Sequence, residues 1–140
     1  MQKYFICVLF TASAEQYAKL ILGQMMKKLE PGNLKAFFYR DSCSVLKPTQ
    51  TLLARSQGKR SELFIKDLSI FDKPLSEVIL VDNSSSSFAL QPYNGIPIIS
   101  FQGDKADKEL YELQQFLLGL KDEADVRLGI KNHFRFLHAV

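Results

Sequence analysis

Residues 4–22, YFICVLFTASAEQYAKLIL, decide the fold. Positions 4–11 form a short, nearly unbroken apolar run rich in strand-forming side chains, the pattern of a parallel strand buried on both faces. S-A-E-Q at 13–16 then reads as a capping box, with Gln16 at the third helical position. From Ala14 onward the apolar residues fall at 14, 17, 18, 21, 22, 25 and 29, which is one face of a helix. E-P-G-N at 30–33 stops that helix. A strand that runs at once into a helix is half of a βαβ unit, so the stretch predicts an α/β domain.

The flanking sequence extends this pattern. Residues 34–39 predict a second short strand that ends at R-D-S-C, 40–43. Residues 44–62 have no clean period and hold Pro48, Gly58 and four basic residues, which predicts a long surface excursion. Extended structure resumes at 63–65. VILV at 78–81 is the strongest strand, and it runs into Asp82-Asn83 and four serines. Residues 96–99 predict a last short strand, near an edge because Pro97 interrupts it. Leu110, Leu113, Phe116, Leu117 and Leu120 share one helix stripe, and Val126, Ile130, Phe134 and Leu137 mark a final helix.

The 140 residues suit a single domain, and at 46% hydrophobic and 24% charged they have a globular composition. No apolar run approaches the ~20 residues of a membrane span. No basic–apolar–small leader opens the sequence, so an intracellular place, nucleus or cytoplasm, is expected. Two cysteines rule out a disulfide scaffold and suit a reducing compartment. The net charge of +3 is too small to argue for direct nucleic-acid binding. It is unevenly spread: residues 1–70 carry 11 basic against 5 acidic side chains, and residues 71–140 carry 7 against 10. The basic front half suits a phosphate or an acidic peptide, although solvated lysines on helix faces give the same count.

Candidate chemistry gathers at strand ends. Thr11 ends the first strand, Lys66 follows a later one, and Asp82 and Asn83 end the strongest. Ligands of open α/β sheets bind outside the carboxyl ends of strands. A hydroxyl, an ammonium and a carboxylate–amide pair there suit a phosphoryl group and a hard cation such as Mg²⁺. Ordinary turn chemistry would also place Asp, Asn and Ser at these positions.

The blocks VLFTAS (8–13), YRDSC (39–43), IKDLS (65–69), VILVDNSSSSFALQPYNGIPI (78–98) and DKELYELQQFL (107–117) closely resemble the RNA polymerase II C-terminal-domain phosphatases. That group includes the small phosphatases of the C-terminal domain, their Dullard-like relatives and a mitochondrial import receptor that shares the domain. The resemblance covers residues 4–128 and implies a haloacid-dehalogenase-type, Rossmann-like parallel sheet. It further implies a Mg²⁺-dependent phosphatase acting on phosphoserine or phosphothreonine in a protein or peptide. By the same resemblance Thr11 hydrogen-bonds the phosphoryl group, Lys66 holds phosphate and nucleophile, and Asn83 ligates Mg²⁺. Asp82 fixes the Lys and the metal's shell, and Arg40 lies near the substrate groove.

Two departures stand beside these matches. The family's D-x-D-x-[TV] motif, which supplies the nucleophile and the general acid–base, belongs upstream of VLFTAS. No Asp-x-Asp occurs in the 140 residues. The expectation is therefore a domain incomplete at its N-terminus and inactive, without the central strand between those ending at Thr11 and Asp82. Two strand edges would be left open, with an edge-strand dimer as one way to cover them. The alternative is a non-catalytic peptide-binding module of the same fold. The second departure is the 44–62 insertion, which leaves 22 residues between Cys43 and Lys66 where the family has a short hairpin. Cys7 and Cys43 read as small core residues, and His133 and His138, five apart, do not suit a zinc site.

Overall fold

The computed structural model describes residues 4–25, 34–46 and 62–134. Among the described residues six short strands and three helices follow in chain order: β1 (Leu9–Phe10), α1 (Glu15–Met25), β2 (Phe37–Phe38), β3 (Ser44–Leu46), β4 (Leu63–Ile65), β5 (Leu80–Asp82), β6 (Gly95–Pro97), α2 (Glu109–Leu120) and α3 (Val126–His133). Five 3₁₀ turns join them, among them Leu68–Phe71, Ser85–Phe88 and Pro92–Asn94.

The strands pair two by two. β1 and β2 are parallel, with Leu9 opposite Phe37, and β5 and β6 are parallel, with Leu80 opposite Gly95. β3 and β4 form an antiparallel pair with Val45 opposite Phe64. Residues 44–46, the start of the expected excursion, are thus a strand; its remainder before Glu62 lies outside the described residues. Parallel pairs joined through helices or long turns are the α/β signature that the first block predicts.

The core is split by the β5–β6 pair. Leu80 packs with Leu68 and Phe88, against Phe71, Leu75 and Val78. On the other face Ile79, Val81 and Ile96 meet Leu113, Phe116, Leu117 and Leu120 of α2, together with Ile130 and Phe134. Buried Asn94 ties this layer by donating from Nδ2 to the carbonyls of Leu75 (2.6 Å) and Val78 (2.7 Å). Phe71 links the core to the β1–β2 pair, with its ring centroid 5.9 Å from Phe10 and 5.1 Å from Phe38.

The first block departs from expectation in three ways. β1 is two residues long, and Ile6 and Val8 before it are 82% and 39% exposed rather than buried. Side chains 6, 8 and 10 share one face of the strand line; the rings of Phe38 and Phe71 cover that face at Phe10, while Ile6 and Val8 stay open to solvent. Next, among the α1 residues whose burial is described only Ala18 is buried, while Tyr17, Leu20 and Ile21 are exposed. Last, no hydrogen bond from the Ser13 hydroxyl caps α1 among the described residues; the N–H of Ser13 donates instead to Thr11 Oγ1. In α2, Leu110 lies exposed beside an otherwise inward stripe.

Candidate functional site

Thr11 is fixed by its backbone. Its N–H donates to the Phe38 carbonyl at 2.9 Å, and its Oγ1 accepts the N–H of Ser13 at 3.1 Å. A hydroxyl that already accepts a local N–H keeps its proton to donate elsewhere. Arg40, just past β2, donates from Nε to the Ala12 carbonyl at 2.8 Å and lies 5.0 Å over the Phe64 ring. The Cys43 thiol reaches the carbonyls of Thr11 and Tyr39, each at 3.9 Å. Thr11, Arg40 and Cys43 are therefore one cluster at the ends of β1 and β2.

Lys66 and Asp82 make the second cluster. Lys66 follows β4, and its N–H donates to the Ser87 carbonyl at 3.2 Å. Its Nζ donates to Asp82 Oδ2, and both residues are only 8% exposed. Asp82 Oδ1 accepts the N–H of Ser84 at 2.8 Å. The Lys66 ammonium also lies 5.9 Å from the centre of the Phe10 ring, on the β1 side. Burying two charges costs solvation that their attraction repays only with good geometry and further hydrogen bonds. Such a pair adds little stability by itself.

Cys43 connects the two clusters. Burial pushes its thiol up; the positive charges of Lys66 and Arg40 oppose that, and the negative charges of Asp82 and Asp41 reinforce it. A thiol held protonated is a filler and weak donor rather than a nucleophile. Both Cys43 and Cys7 are unbridged and half-buried.

Asn83 sits exposed at the carboxyl end of β5, its Nδ2 donating to Ser100 Oγ at 2.8 Å. That bond orients the amide and leaves its Oδ1 as an oxygen ligand. Mg²⁺ demands six oxygens in near-octahedral array, usually with one or two carboxylates. Asp82 has one oxygen on Lys66 and the other on the Ser84 N–H. No group of three or more His, Cys, Asp or Glu able to hold a metal occurs among the described residues. On this donor set the described residues do not make a Mg²⁺ site.

Thr11, Arg40, Lys66 and Asp82 thus share the strand ends, with Asn83 one residue beyond. The residues that hold them in place were not singled out in the sequence. Ser84 and Ser87 act through their backbones, on Asp82 and Lys66 respectively. Asp67 accepts from the Ser69 N–H at 3.0 Å and from Gln91 Nε2 at 2.8 Å, while Gln91 Oε1 accepts the Leu68 N–H at 3.1 Å. These bonds hold the Asp67 carboxyl below its ordinary range, the Ser69 N–H contributing most. An Asx turn after Lys66 was the readable signal; the Gln91 partner, 24 residues on, was not.

Next to Arg40 lies an open groove of about 540 Å³, lined by Ala14, Glu15, Arg40, Asp41, Cys43, Val45, Glu62 and Phe64.

Comparison with known proteins gives a consistent result. A family described as NLI interacting factor-like phosphatase matches residues 1–127. The chain is 36% identical over 137 residues to a CTD small phosphatase-like protein 2 of Dictyostelium discoideum, covering 97% of this chain and 21% of that protein. It is 36% identical over 126 residues to a human CTD small phosphatase-like protein, covering 90% of this chain and 40% of the other. A CTD nuclear envelope phosphatase 1 of Xenopus laevis is 34% identical over 127 residues, covering 91% of this chain and 46% of that one. The chain thus spans less than half the length of these relatives.

Proposed function

This chain belongs to the NLI interacting factor-like phosphatase family, and from that membership we propose that its 140 residues form the phosphoryl-binding part of a protein serine/threonine phosphatase domain. The observation that carries this is the buried Lys66–Asp82 pair at the same strand ends as the Thr11 hydroxyl, which keeps a proton to donate. Lys66 neutralises phosphoryl oxygens, Thr11 donates to one of them, and Asp82 with the Ser84 N–H holds the ammonium in place. These groups are pre-set before ligand arrives, so little reorganisation is needed when charge moves onto the phosphoryl oxygens.

The attacking group is a carboxylate that this sequence does not contain in an Asp-x-Asp pair. Aspartyl-phosphate formation needs that nucleophile, and catalytic groups of this kind act as a unit. The 140-residue polypeptide therefore binds phosphate weakly and does not turn it over. The full haloacid-dehalogenase-type sheet would take one more strand, between β1 and β5, bearing those carboxylates. β1 pairs only with β2, and β5 only with β6, among the described residues, which leaves both inner edges available to it. Mg²⁺ dependence is part of the same proposal and depends on those added carboxylates beside the Asn83 amide oxygen. The metal would supply positive charge at a phosphoryl oxygen.

The lack of an Asp-x-Asp also favours a second reading, a non-catalytic module that grips a phosphorylated peptide without hydrolysing it. From the resemblance of the sequence blocks, the proposed substrate is a phosphoserine or phosphothreonine protein and the proposed place is the nucleus or cytoplasm; one relative is named a nuclear envelope phosphatase. No described helix is long and apolar enough to cross a membrane. The test is a titration followed by NMR. Phosphate moves the Thr11 and Lys66 signals more than chloride does at equal ionic strength; equal shifts from both anions overturn the proposal.

A further inference from the structure

The groove beside Arg40 runs along one face of the β3–β4 pair. Successive side chains on a strand point to opposite faces, so Glu62 and Phe64 stand on one face of the β4 strand line, with Lys66 continuing that spacing. Val45 stands opposite Phe64, and Cys43, just before β3, is two residues from Val45. Cys43, Val45, Glu62 and Phe64 all line the groove, which confirms the shared face. The Cys43 thiol reaches the Thr11 carbonyl at 3.9 Å and Arg40 Nε reaches the Ala12 carbonyl, so this end of the groove adjoins Thr11.

The groove's charges are arranged along its length. At the near end Arg40 lies flat on Phe64, pinned by the Ala12 carbonyl. In the middle, exposed Val45 gives an apolar floor beside the Phe64 ring. At the far end stands Glu62, exposed and without an ion pair among the described residues, as is Asp41 on the rim; Glu15 is already paired with Lys19 at 2.7 Å. At about 3.3 Å per residue, Glu62 lies ~13 Å from Lys66 along the strand. An extended peptide covers that distance in three to four residues.

We infer that this groove is a specificity track for a phosphopeptide that carries a basic residue three to four positions from the phosphorylated one. The phosphoryl group sits at Thr11 and Lys66, an apolar or small residue lies over Val45 beside the Arg40-covered Phe64 ring, and a lysine or arginine meets Glu62. This rests on the phosphoryl-binding role proposed above and adds the class of sequence that the site selects.

Four peptides test it by fluorescence anisotropy against the 140-residue protein at low salt. Two carry phosphoserine flanked on both sides by Lys at the third and fourth positions, or by Glu at those positions; two are their unphosphorylated forms. The Lys phosphopeptide binds about two- to five-fold tighter than the Glu one, the range of an exposed ion pair. Glu62→Gln shrinks that ratio and Glu62→Lys inverts it, while thermal melts show both variants folded. Equal binding of the two phosphopeptides, or a ratio that Glu62→Lys leaves unchanged, overturns the track. If phosphorylation adds no affinity but the Lys preference persists and follows residue 62, the phosphoryl site has failed and the groove's charge selection stands. No measurable binding of any peptide overturns both.

Discussion

Gly95 lies directly against the ring of Phe88: a Cβ on residue 95 would fall inside the ring's van der Waals envelope. Phe88 is buried with Leu68 and Leu80, and the residue before it, Ser87, supplies the carbonyl that holds the Lys66 backbone. The small residue in N-G-I-P-I is therefore a packing requirement that reaches the site.

Gly95→Ala forces Phe88 from its place, an overpacking that costs about 1–3 kcal/mol. Urea denaturation should show a lower midpoint with an unchanged slope. The Lys66 amide signal should move with it; an unchanged midpoint would show that the ring relocates freely.

Removing one partner of the buried pair is worse than removing both. Lys66→Ala leaves the Asp82 carboxylate buried and unpaired, a loss of about 3–5 kcal/mol. The double variant Lys66→Met/Asp82→Leu recovers most of that stability, yet shows no phosphate-induced shift at Thr11. A double variant as unstable as the single would mean that the pair, rather than the lone charge, governs folding here.

Asp67 makes a pH prediction. Its carboxyl is held below the ordinary value of 3.8 by the Ser69 N–H and Gln91. A depressed folded-state value adds stability that is complete above the unfolded value and disappears as pH falls through the folded one. Melting temperatures of the native protein and Asp67→Asn should therefore differ near neutrality, and the gap should close as pH drops below that value. Asp125, lowered by Arg127 in the same direction, is present in both proteins and cancels. A gap that stays constant down to pH 2.5 would exclude the linkage.

The sequence made the order of elements legible because the apolar runs and their stops are local signals. It also placed Thr11, Arg40, Lys66, Asp82 and Asn83 at strand ends, since each directly follows or closes a run. Burial was the harder part. Ile6 and Val8 share a face with Phe10, yet only Phe10 meets the Phe38 and Phe71 rings there, and an apolar run alone cannot say which part of a strand's face is covered. Supporting contacts such as Gln91 to Asp67 join positions far apart in the chain, so no local spacing announces them.

The edge of β1 away from β2, which no strand among the described residues covers, carries the last prediction. The backbone groups of Val8 and Phe10 face away from β2, and Ile6 is 82% exposed beside them. Unpaired strand edges with apolar side chains are templates for another strand, which natural proteins blunt with lysine or proline. The first stretch of this chain has no such guard between Tyr4 and Thr11. The 140-residue protein should therefore self-associate through this edge, with sedimentation showing a larger species as concentration rises. Val8→Lys should return it to a monomer without lowering the midpoint of unfolding, because that side chain is already 39% exposed. Fusing a strand-forming segment that carries D-x-D-x-T ahead of Met1 should do the same and raise the melting temperature as well. A 140-residue protein that sediments as a monomer at every concentration, with a cooperative melt, would show that the β1 edge is covered from within the chain.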